Sequence, residues 1–168
     1  MIFLGIDPGI YGALAAITDQ GKIGVYDFDD VQALIFLQSI RNDKCKAVIE
    51  KIHSMPGQGV SSMFGMGENY GRWIGRLEAL GIPYDLVTPQ RWRKAMFDSI
   101  PATVPAPPGE TPKEKQKRAN ERSKLLKELS RERALRLFPE MAEYLKLKKH
   151  HGRAEAILLG EYCRRNDK

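Results

Sequence analysis

Apolar positions near the start of the chain come in short runs separated by turn residues. Ile2 to Ile6 and Ala13 to Thr18 each read as a buried strand, joined by the turn Asp7-Pro8-Gly9-Ile10-Tyr11-Gly12. Gly21 to Tyr26 follows the turn Asp19-Gln20-Gly21 as a third strand, which makes a β-meander. From Asp30, read as a capping side chain, through Ile40 the apolar positions take helical spacing, and Ala47-Val48-Ile49-Glu50 returns to strand. A helix between strands implies a crossover and so a parallel pairing.

A second helix, capped by Ser61 or Ser62 and ending at Gly81, would include Met63, Phe64, Met66, Tyr70, Trp73, Ile74, Leu77 and Leu80. Gly67, Gly71 and Gly75 recur along it at every fourth position, each costing roughly 1 kcal/mol of helix stability relative to Ala. Close approach of another backbone, within the fold or across a dimer axis, would offset that cost; a broken helix is the alternative. Tyr84 to Val87 predicts a further parallel strand, and Thr88-Pro89 then opens a helix with Thr88 as N-cap. Residues 99–112, with Pro101, Pro105, Pro107, Pro108, Gly109 and Pro112, predict an exposed, mobile loop. The basic segment 113–137 is helical by propensity, with Leu125, Leu126, Leu129, Leu135 and Leu137 as its buried side, and Pro139 ends or redirects it. A last helix over Arg153 to Tyr162 has Ala154, Ala156, Ile157, Leu158 and Leu159 to pack onto the sheet. The sum is an α/β fold with a central mixed five-stranded sheet flanked by helices.

The chain's 168 residues suit one domain over 1–168 with a real core. Cys45 and Cys163 fit neither a disulfide framework nor a zinc spacing, and Asp7 interrupts the apolar N-terminus, so no signal peptide or membrane span is read there. Reduced thiols and a cytoplasmic location are the expectation. The net charge is +6, and residues 113 to 136, with ten Lys/Arg and four Glu, hold all of it. Such a stripe is the footprint of a nucleic-acid binder, because Lys and Arg displace the counterions condensed on phosphates; a solvated helix face is the bland alternative.

Asp7 is a carboxylate where a buried strand meets a turn, and there it needs a cation, a donor or a metal to offset its desolvation. Glu50 at a strand end and Glu155 on the last helix offer themselves as partners. Carboxylates converging on a pair of divalent ions are what two-metal phosphodiester hydrolysis requires, and oxygen ligation favours Mg²⁺ or Mn²⁺ over zinc. His151 lies four residues before Glu155, so both face one site if the helix starts early enough.

Four segments carry a family resemblance: Phe3 to Ala13, Val48-Ile49-Glu50, Leu86-Val87-Thr88-Pro89-Gln90, and Gly152-Arg153-Ala154-Glu155-Ala156. In this order and spacing they resemble RuvC Holliday-junction resolvases, particularly the phage-type branch, over nearly the whole chain. The resemblance implies an RNase H-like fold, a homodimer, and paired symmetric nicks in four-way or branched DNA with two Mg²⁺ ions. Asp7, Glu50 and Glu155 then match the family's metal-binding carboxylates, and His151 falls at the remaining position, usually Asp. A neutral imidazole there adds no negative charge, so Mn²⁺ is the candidate preferred metal. His53 falls where the family presents an aromatic residue to unstacked bases, Arg93 and Lys94 match basic residues near the scissile phosphate, and Lys124 aligns loosely as a further DNA contact. The alternatives are a catalytically weak branched-DNA-binding protein with the same fold, favoured by His151, and an actin-like phosphate site, which needs a second domain this chain has no room for.

Overall fold

The computed structural model describes residues 1–28, 31–53, 59–101 and 105–167. Strands β1 (Ile2–Asp7), β2 (Ala13–Thr18) and β3 (Ile23–Asp27) form the antiparallel meander, and α1 (Val31–Ser39) crosses over to β4 (Cys45–Glu50). The capping residue expected at Asp30 lies outside the described residues. Helix α2 (Val60–Ala79), β5 (Tyr84–Val87) and α3 (Pro89–Met96) follow, then α4 (Pro112–Leu137), the short α5 (Ala142–Leu145) and α6 (His151–Asn166). Sheet order is β3-β2-β1-β4-β5, with β1–β4 and β4–β5 parallel, so the sheet is mixed as its hydrophobic pattern predicts. Among the described residues, no helix is long and apolar enough to cross a membrane.

Strand alternation divides the core in two. Phe3, Ala13, Ala15, Ile17 and Val48 face α3, α4 and α6, whereas Leu4, Ile6, Leu14, Ala47 and Ile49 face α1 and α2. On the first face α6 lies directly on β1: a Cβ at Gly5 would stand 2.0 Å from the Gly160 nitrogen and 2.1 Å from the Ala156 carbonyl oxygen. Only glycine at position 5 allows that approach.

Several expectations need correction. Ser61 and Ser62 lie inside α2, whose N-cap is Gly59 and makes no side-chain cap bond. The α2 glycines do not break the helix, and among the described residues a Cβ at Gly67, Gly71 or Gly75 would find nothing within 4 Å. Pro112 belongs to a helix rather than to the irregular segment: it opens α4, where Thr111 and Glu114 form a reciprocal capping box and the missing proline N–H costs nothing. On α4 the buried residues are Ser130 and Ala134, while Leu125 is exposed, because the helix touches α6 along a narrow seam of small side chains.

Candidate metal centre and nucleic-acid interface

Two strand ends and one helix bring three carboxylates together. In β1 the residues sharing the α6 face are Phe3, Gly5 and Asp7, and in β4 they are Lys46, Val48 and Glu50. The parallel register pairs Ile6 with Ile49, so the next residues, Asp7 and Glu50, leave adjacent strands at the same level on the same face. Glu155 comes down on them from the second turn of α6. One oxygen from each of the three lies within 4.8 Å of the others, and all three side chains are buried.

Glycine sets how closely the pieces meet. A Cβ at Gly12 would stand 2.0 Å from the Asp7 carbonyl oxygen, and one at Gly152 would stand 2.0 Å from the Tyr11 carbonyl oxygen and 3.1 Å from Asp7 Oδ2. The start of α6 therefore presses on the β1–β2 turn, which is why Glu155 reaches Asp7. Asp7 Oδ1 also accepts the Gly9 backbone N–H at 3.0 Å.

Each glutamate has its own support. Glu50 Oε1 accepts from Trp92 Nε1 at 3.0 Å, and Glu155 Oε1 accepts from Arg93 Nη2 at 3.0 Å. The same Arg93 nitrogen lies 3.8 Å from Glu50, and its guanidinium stacks over the Trp92 ring at 4.9 Å. Ser130 Oγ has one proton and two acceptors, the Leu126 carbonyl at 2.9 Å and Glu155 Oε1 at 3.3 Å. Trp92 and Ser130 were not among the residues singled out from sequence. Nothing local marks a helical tryptophan or a mid-helix serine as reaching a carboxylate.

One guanidinium does not balance three carboxylates. Burial, then repulsion from Glu155 and Glu50, holds the Asp7 carboxyl well above the usual range. Burial and Glu155 push Glu50 up to about 7. Two buried oxygen donors, Asp7 and Glu50, that retain protons for want of positive charge fit a hard divalent cation, which takes carboxylate oxygens and would release those protons.

The other candidates are spread around this centre. His151 is the first residue of α6, half-buried, and outside the set of three; burial and then Lys127 push its imidazole down, while Glu155 pulls it up. His53, Lys94 and Lys124 are exposed, whereas Arg93, expected near a phosphate, turns inward to the carboxylates. The basic stripe splits by residue type. Arg118 pairs with Glu110, Arg122 donates to the Pro101 carbonyl, Arg131 to the Leu145 carbonyl, and Arg133 to the Met96 carbonyl and Asp98. Lys113, Lys115, Lys117 and Lys124 are exposed. Arg118, Arg122, Arg131 and Arg133 thus fasten α4 to its surroundings, while these lysines and exposed Arg136 carry its outward charge.

By structure, the chain is similar to T. thermophilus RuvC in complex with Holliday junction substrate, with TM-score 0.51 and 13% identity over 96% of this chain and 91% of that one. A second Thermus thermophilus RuvC structure matches with TM-score 0.50 and 14% identity over 96% and 92%. The chain has a RuvC-like fold. No family model and no curated protein matches the sequence. The scaffold is shared with those structures at only 13–14% identity, and a fold alone does not fix the chemistry of its site.

Proposed function

We propose that the chain is a structure-selective, metal-dependent endodeoxyribonuclease that resolves Holliday junctions or related branched DNA by paired nicks. The observation that carries this reading is the buried set Asp7, Glu50 and Glu155 on a RuvC-like fold. These three side chains would hold Mg²⁺ or Mn²⁺, which supply an activated water and stabilise the leaving oxygen in phosphodiester hydrolysis. Trp92 fixes the Glu50 carboxylate, Arg93 offsets charge at Glu50 and Glu155, and the buried walls limit bulk water. The exposed lysines of α4 supply a surface for phosphates, with His53, Lys94 and Lys124 as further DNA contacts. His151 stands one helical turn before Glu155 and would join the site only by a side-chain rearrangement. A homodimer suits a two-fold substrate, and α2 offers a face for it, with exposed Val60 and Phe64 continuing into the open glycine stripe.

A second reading, a catalytically weak branched-DNA binder, is favoured by Arg93, which already occupies the carboxylates, and by the position of His151 outside them. Labelled four-way DNA incubated with the protein and either metal separates the two. Symmetric nicks that Asp7→Asn reduces by at least ~100-fold, with junction binding retained, support the nuclease. Binding without nicks at any metal concentration supports the binder, and undiminished cleavage by pure Asp7→Asn rejects the metal assignment.

A further inference from the structure

The turn that carries Asp7 has a second side. Beyond Gly12 lies a cavity of about 300 Å³, with Ile10 and Tyr11 at its rim, Phe28 in its floor, and Lys149 and Arg153 in its wall. The cavity is large enough for a small organic ligand. Tyr11 is 75% exposed and Ile10 50% exposed, so neither ring nor aliphatic chain is spent on the core. Arg153 is held rigid: Nε and Nη2 donate to the two Asp27 oxygens at 2.7 and 2.6 Å, and Nη1 donates to the Tyr144 carbonyl at 3.0 Å. Asp27 cancels the charge of Arg153, and among the described lining residues exposed Lys149 and half-buried His150 remain, with Lys149 carrying the positive charge.

A bare anion would have no use for the aromatic rim, and an apolar ligand none for Lys149. A flat ring and a cation lining one small cavity match the two halves of a nucleotide. The position is also specific, since Gly12, a wall of the cavity, is packed directly on the Asp7 backbone. We propose that this cavity is a nucleotide subsite next to the metal centre, with the base stacked on Tyr11 and the phosphate at Lys149. The proposal rests on the reading of the chain as a branched-DNA protein and adds where a neighbouring nucleotide of the bound strand is held.

The test uses the full chain in Ca²⁺ and four-way DNA carrying one abasic site, moved position by position through the strand. Wild-type affinity is expected to fall roughly five- to fifty-fold at one position. Tyr11→Ala should lose a similar factor on intact DNA and become insensitive at that same position. Lys149→Ala should lower the slope of log affinity against log salt by about one. Both side chains are exposed, so circular dichroism of the variants should match wild type. Free deoxynucleoside monophosphates form the second arm. Binding that depends on Tyr11 and Lys149, without a coupled DNA position, assigns the same pocket to free nucleotide; no coupled position and no such binding overturns the proposal. Nicking is read separately with Mg²⁺ and Mn²⁺: coupling without nicks keeps the subsite and removes the nuclease reading, and nicks without coupling or free-nucleotide binding do the reverse.

Discussion

Helices α6 and α2 lie on opposite faces of one sheet, both contain glycine, and use it in opposite ways. In α6, Gly160 and the facing Gly5 let backbone meet backbone, and Gly152 lets the helix start against the Asp7 turn. In α2, the stripe Gly67, Gly71 and Gly75 meets open space among the described residues, and the helix is anchored by buried Trp73 and Leu77 with Tyr70 and Ile74 partly buried beside them. The candidate metal centre is on the α6 side, where tight packing sets atomic positions. The loosely attached α2 is suited to an outside partner. Glycine spacing therefore marks where close approach is possible, and the surroundings decide whether it happens.

The strongest way to break this contrast is Gly5→Val. Its side chain would run into the backbone of α6, so a loss of more than about 4 kcal/mol in urea unfolding, or no folded protein, is expected. Near-wild-type stability would contradict the close approach.

Next in size is a pH effect confined to the α6 side. Glu50 rises from 4.5 to about 7 on folding, and Asp7 shifts the same way. The folded protein then keeps protons that the unfolded chain releases, so without metal these groups lose stability as pH rises from about 4.5 to 7. His150 and His151 are pushed down and oppose the trend, whereas Asp27, pushed down from 3.8, has finished titrating below this window. The comparison is therefore differential: melting in EDTA from pH 5 to 8 should show wild type losing roughly 3–8 °C relative to Glu50→Gln. Mn²⁺ should recover it in wild type, and parallel curves in EDTA would reject the shift.

Smaller again is Trp92→Phe, which removes the donor to Glu50 and should cost about 1–2 kcal/mol in denaturant. It should also weaken Mn²⁺ binding by calorimetry; unchanged values would make the bond incidental. The smallest effect, with reversed sign, belongs to α2. Gly71→Ala should stabilise the isolated chain by about 0.5–1 kcal/mol, because the added methyl meets nothing and helix propensity improves. If α2 is the dimer face, the same change should shift the mass in equilibrium sedimentation toward monomer. A dimer unaffected by Gly71→Ala would place the two-fold contact elsewhere.

The meander, the crossover and the final helix were readable because short apolar runs broken by turn residues mark segments buried on both sides, as β1, β4 and α6 are. Asp7, Glu50 and Glu155 stood out for a related reason: a charge next to a buried run must be balanced by something. The caps at Ser61 and Ser62 were misread because local signals compete closely, and Thr111-Pro112 outweighed the rule against proline in a helix only through a capping box that includes Glu114.

What the sequence by itself determined is the set of costly positions: three carboxylates beside apolar segments, glycines at helical spacing, and a stripe of positive charge. These follow from local chemistry and period, which a linear chain already contains. Only the tertiary structure decided that Arg93 faces the carboxylates rather than solvent, that Trp92 and Ser130 support them, that His151 stands outside the set, and that Arg118, Arg122, Arg131 and Arg133 are spent on structure while the exposed lysines of α4 are not. The contacts at the carboxylates join residues 25 to 62 positions apart, Ser130 with Glu155 at one extreme and Arg93 with Glu155 at the other, and they depend on distances that exist only after the sheet and α6 have closed on each other.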